Sequence, residues 1–77
     1  MPHLSDTARE KVVTRVSQLL KSIHCEEILY EMQVDNSEEM IQYYRGKLTA
    51  TLLTLQECFG ESVSSSVYMD AYNRSKI

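Results

Sequence analysis

The run His24-Cys25-Glu26-Glu27 places three kinds of metal ligand in four consecutive positions of a 77-residue chain. On a helix, neighbours in sequence point about 100° apart, so a helical metal site needs ligands at i and i+3 or i+4. Within this run only His24 and Glu27 have that spacing, and His3 is the one other histidine. The same geometry turns His24 away from Cys25, which leaves the thiol without the adjacent base a nucleophile needs. Gly46 and Gly60 are the only glycines, so no glycine-rich phosphate loop can form. The expectation is a non-enzymatic protein with no catalytic residue, no metal and no cofactor.

Ser37 opens a helix after an acidic turn, the place where acyl carrier proteins bear their phosphopantetheine serine. Here the residues are Asn36-Ser37-Glu38 rather than Asp-Ser-Leu, and the helix that follows is too long for that fold. Ser37 therefore reads as a plain helix cap.

Gln42-Tyr43-Tyr44-Arg45-Gly46-Lys47 mixes aromatics, cations and a glycine, which raises the question of a stacking and phosphate-binding platform. At 100° per residue Tyr44 falls on one stripe with Ile41, Leu48, Leu52, Leu55 and Phe59, which predicts a core tyrosine with its hydroxyl at the edge. Arg45 flanks that stripe and Lys47 lies well round from it, so the two cations and two aromatics are not expected to share a face. On the opposite side Tyr43, Gly46, Ala50 and Leu53 form a second line of apolar or small residues. Gly46 and Ala50, four apart, would let another backbone approach closely. Either the last helix covers this line with Val63, Val67 and Ala71, or a second chain does.

The elements that place these residues are helical. With one proline at position 2 and two glycines, the chain lacks the punctuation of β-rich folds. Thr7-Ala8-Arg9-Glu10 has capping-box spacing, with Ser5 or Asp6 as the other possible caps. Val12, Val13, Val16, Leu19, Leu20 and Ile23 follow on one helical face. The apolar phase then slips at Cys25, Ile28, Leu29 and Met32. The spacing favours a second short helix from about Cys25 to Gln33, with Glu26 and Glu27 in its first turn where the helix dipole favours acids. The alternative is one continuous helix bent near His24. Val34 to Glu39 reads as a turn and a new N-terminus, from which a long helix runs to Gly60. A last helix spans Ser62 to Arg74. The predicted fold is all-α, a small bundle of three to four helices built on a helical hairpin. Residues 1–77 form a single domain, with 1–4 and 75–77 frayed.

A chain this short buries only about 60% of the surface its unfolded form exposes, so oligomerisation is one route to the missing burial. Cys25 and Cys58 fit no CxxC pattern and are expected to be buried or half-buried thiols, too far apart along an antiparallel hairpin for a disulfide. No apolar run is long enough for a signal peptide or a membrane span, which places the protein in the cytoplasm.

The net charge of −3 is unevenly distributed: residues 24–39 hold six acids and no Lys or Arg. Taken together, these features point to a small regulatory or adaptor protein acting through protein contacts, as a homodimer or with another protein. The expected contact residues are Tyr43, Gly46, Lys47, Ala50 and Leu53, with Glu26, Glu27 and Glu31 of the acidic block as a second surface. One alternative is an acidic decoy that occupies the basic groove of a nucleic-acid-handling protein. A helix-turn-helix DNA binder is disfavoured, because Glu38 and Glu39 at the start of the second long helix would repel phosphates.

Overall fold

The computed structural model describes residues 3–76, which form three helices and, among the described residues, no strand. The helices are α1 (Asp6–Glu31), α2 (Ser37–Phe59) and α3 (Glu61–Ser75). Each packs against the other two, and the molecule is elongated, 46 × 24 × 16 Å. The fold is thus a small all-α bundle in which an α1–α2 hairpin carries a shorter third helix. No described helix is long and apolar enough to cross a membrane.

The capping box does not form at the start of α1. Ser5 is the N-cap, its Oγ accepting from the Ala8 backbone N–H at 3.2 Å, and Glu10 reaches α3 instead. Val13, Val16, Leu19 and Ile23 are buried, with Val12 and Leu20 half-buried beside them. Beyond Ile23 the helix does not break: α1 is continuous to Glu31, which replaces the two-helix reading of residues 7–33. Nothing in the chain forces a break there, since no Gly or Pro interrupts it. Of the slipped residues, Cys25 and Ile28 are carried outward on the same helix and Leu29 is half-buried, while Met32 is exposed at the C-cap. Cys25 and Cys58 are both free and exposed, contrary to the expectation of sheltered thiols.

The turn uses left-handed backbone at residues other than glycine. Gln33 has φ 61° and Asn36 φ 70°. The Gln33 N–H bonds to the Tyr30 carbonyl and the Val34 N–H to the Leu29 carbonyl, both at 3.0 Å, a Schellman closure with Gln33 at the position glycine usually takes. Asn36 is the N-cap of α2 without a side-chain cap bond. Ser37 is not a cap: it is buried, and its Oγ donates backward to the Val34 carbonyl at 2.9 Å. That burial is also at odds with a serine presented for modification.

Gly60 alone joins α2 to α3, at φ 100° and ψ 161°, a region essentially reserved for glycine. It reverses the chain so that α3 runs antiparallel to α2 and alongside the first part of α1. Val67 and Ala71 enter the core with Val13, Val16 and Leu55. Ser64 is buried because its Oγ donates to the Leu52 carbonyl at 2.8 Å. At the α1–α3 seam Arg9 Nη2 pairs with Asp70 Oδ2 at 2.6 Å and donates to Ser66 Oγ at 2.8 Å. Of the ends expected to fray, Leu4 packs on the core and Ser75 lies inside α3, while residues 1, 2 and 77 fall outside the described ones.

Candidate interaction surfaces

The helix α2 is long enough, about 35 Å at 1.5 Å per residue, to present two faces along most of the molecule. Its inner face contributes Ile41 and Leu55 to the buried set, with Tyr44, Leu48, Leu52 and Phe59 half-buried around them. Its outer face carries Tyr43, Gly46, Ala50 and Leu53, all exposed. Tyr43 retains 52% of its surface and Leu53 50%, and a Cβ built at Gly46 would meet nothing within 4 Å. The reading in which the last helix covers this line is therefore overturned. The reason lies in the Gly60 connection, which returns α3 to the inner side of the hairpin, where Val67 and Ala71 find a deeper apolar seat.

Lys47 also belongs to this outer face. Its Nζ lies 4.7 Å from the centroid of the Tyr43 ring, and Tyr43 meets Tyr44 edge-on with centroids 5.5 Å apart. One cation and one aromatic of the Gln42–Lys47 run thus do share a face, because residues four apart stack on a helix. Arg45 stands elsewhere, beside Gln42 and Ile41 on the side towards α1's acidic end. The run still does not assemble two aromatics and two cations into one platform.

The acidic block occupies the hairpin end of the molecule. Because α1 is continuous, Glu26 and Glu27 lie near its C-terminus rather than in a first turn, Glu31 ends the helix, and no basic residue balances these acids in the last turn. Carboxylates there face the negative end of the helix dipole, an arrangement that stabilises neither. Glu38 and Glu39, in the first turn of α2, have the favourable polarity. Glu26 is half-buried, whereas Glu27 and Glu31 are exposed.

Among these acids stand apolar side chains that sequence reasoning did not assign to any surface: Tyr30 at 54% exposure, Met32 at 68%, and Val34 and Ile28 at slightly under half. The signal available was the phase slip after Ile23, which marks residues leaving the core stripe. A second tyrosine–lysine pair was also missed, with Lys76 Nζ 4.4 Å from the Tyr72 ring centroid and Tyr72 stacked on Tyr68. Its i, i+4 spacing is the same as that of Tyr43 and Lys47.

Among the described residues no three His, Cys, Asp or Glu side chains gather as metal ligands. The Glu10 carboxyl is held below its ordinary value by its hydrogen bond to Arg74, and the Arg74 guanidinium is raised in return. That pair lies on the α1–α3 seam and joins two helices rather than facing a cleft. No protein-family model matches this chain, and no curated protein or solved structure matches it significantly.

Proposed function

We propose that this protein is a small, non-enzymatic interaction module of the cytoplasm that works as a homodimer through the outer face of α2. The observation that carries the reading is the exposed line Tyr43, Gly46, Ala50, Leu53. Its spacing of three, four and three residues is the same read from either end. A two-fold axis crossing the helix at the level of Leu48 therefore sets Gly46 opposite Ala50, and Tyr43 opposite Leu53, of a second copy. Two copies of α2 laid antiparallel set small against small at the crossing and large against large on either side. Self-complementarity of this kind is what an isologous interface requires. The open space at Gly46 lets the second backbone approach closely.

Burial of these side chains supplies the attraction, at roughly 25 cal/mol per Å² of apolar surface removed from water, before the cost of association is subtracted. Glu39 and Glu57 lie on the same outer face and exchange places across the axis, so like charges approach at its two ends. Added salt screens that repulsion. The homodimer is thus expected to tighten as ionic strength rises, the opposite of an acidic decoy bound to a basic groove.

Sedimentation equilibrium on the wild type and on Gly46→Arg, with helicity followed by circular dichroism, tests the reading. The expected result is a wild-type dimer and a folded, monomeric variant, since the monomer has room for the arginine. A wild type that stays monomeric across the concentration range would overturn it, as would a variant that dimerises unchanged.

A further inference from the structure

The third-helix seat in this bundle is longer than the helix that fills it. Helices α1 and α2 have 26 and 23 residues, about 39 and 35 Å, whereas α3 has 15, about 22 Å. The tightly packed cluster of Val13, Val16, Leu55, Val67 and Ala71 is confined to the part of the hairpin that α3 covers. Past the end of α3 the groove between α1 and α2 continues. A depression bounded by Tyr72 and Lys76 of α3 shares Glu27 with a second one floored by Ile41 and lined by Tyr30, Glu31, Glu38, Gln42 and Arg45. The second shares Tyr30, Glu31 and Glu38 with a third that reaches the turn at Val34. Because neighbouring depressions share lining residues, we read them as one solvent-open channel that runs from the end of α3 to the hairpin turn.

The walls of this channel have a definite charge. Its lining carries four acids, Glu27, Glu31, Asp35 and Glu38, against two cations, Arg45 and Lys76. Glu27 and Glu31 on the α1 wall sit near that helix's negative end without a basic neighbour in its last turn. Over the buried Ile41, the exposed Tyr30 and Val34 offer apolar surface to a stripe.

We infer that this channel is a docking site for a helix of another protein, apolar along one stripe and bearing Lys or Arg beside it, which extends the position of α3 and completes a three-helix bundle over the distal hairpin. An amphipathic helix laid in a hydrophobic groove is read by residues at i, i+3, i+4 and i+7, and the charged walls set its partner choice. Cations delivered there meet Glu27, Glu31 and Glu38, and relieve the mismatch of the first two with the α1 dipole. The site lies on the inner side of the hairpin, away from the outer face of α2, and does not depend on dimerisation.

The probe is a fluorescein-labelled synthetic peptide of about four helical turns, with leucines at i, i+3, i+4 and i+7 and lysines flanking them. A peptide of the same composition in scrambled order is the control. Binding is followed by anisotropy and mapped by amide chemical shifts on the full chain. The patterned peptide is expected to bind at least about tenfold tighter than the scrambled one, with shift changes concentrated at Glu27, Glu31, Ile41 and Gln42.

The double variant Glu27→Lys/Glu31→Lys is expected to weaken that binding at least about tenfold while keeping its helicity, because lysines near the end of α1 favour the dipole. The Gly46→Arg chain is expected to bind like the wild type, which separates failure here from failure of the dimer. Equal binding of the two peptides, shifts centred outside the channel, or undiminished binding by the double variant would each overturn the inference. So would dissociation of a wild-type dimer by that double variant, which would make a second copy the occupant.

Discussion

Arg74 on α3 grips Glu10 on α1 with both terminal nitrogens, Nη1 to Oε1 at 2.6 Å and Nη2 to Oε2 at 2.7 Å, across 64 positions of sequence. The bond holds the Glu10 carboxyl below its ordinary value of 4.5. A carboxyl whose folded value is depressed contributes stability above the unfolded value, and that contribution is lost as pH falls through the folded one. Urea titrations of the wild type and Glu10→Gln are therefore expected to differ at neutral pH and to converge below 4.5. A difference that persists unchanged into strong acid would show that the pair does not stabilise the fold through its charge.

The two glycines are expected to respond in opposite directions to alanine. Gly60→Ala forces an L side chain into backbone at φ 100° and costs on the order of 1–3 kcal/mol. Gly46 sits mid-helix with open space where a Cβ would go, so Gly46→Ala adds about 1 kcal/mol to the stability of the monomer. Chemical denaturation at concentrations below dimer formation reads both.

Gln33→Gly is expected to stabilise the chain by about 1 kcal/mol, since Gln33 holds the left-handed position of the Schellman closure at φ 61°. A loss of stability would mean that the glutamine side chain contributes more than its backbone strain costs.

Leu55 and Leu53 lie two residues apart on α2 with opposite fates, 4% and 50% exposed. Leu55→Ala is expected to destabilise the fold by about 2–5 kcal/mol. Leu53→Ala should leave the monomer's denaturation midpoint nearly unchanged and weaken self-association. Comparable losses of monomer stability from both would contradict the assignment of inner and outer faces.

Both thiols are exposed, so Cys25 and Cys58 should react with a thiol-specific dye in the native state at rates close to those in denaturant. A protection factor that disappears on unfolding would place either one inside.

The buried stripes were legible in the residues alone. Val13, Val16, Leu19 and Ile23 repeat at helical spacing and are buried, as are Ile41 and Leu55 within the stripe of α2. Gly60 was legible as the end of α2 because its backbone freedom suits a stop there, and the turn near Asn36 because Asp, Asn and Ser compete with helix. The continuity of α1 was not legible, since a shift of apolar phase looks the same whether a helix breaks or carries apolar residues out into solvent. The exposure of Cys25 and the placing of the acids at the end of α1 follow from that one ambiguity.

By itself the sequence determined that this chain is helical, where its long core stripes run, and that α2 is apolar on two sides, because periodicity and backbone propensity are properties of neighbours along the chain. Which side of α2 would receive α3, and how much of the hairpin α3 would leave uncovered, depended on contacts between residues more than 50 positions apart, such as Arg9 with Asp70 and Glu10 with Arg74. No local rule encodes them. They arise only when Gly60 has reversed the chain and Val67 and Ala71 have found Val13, Val16 and Leu55.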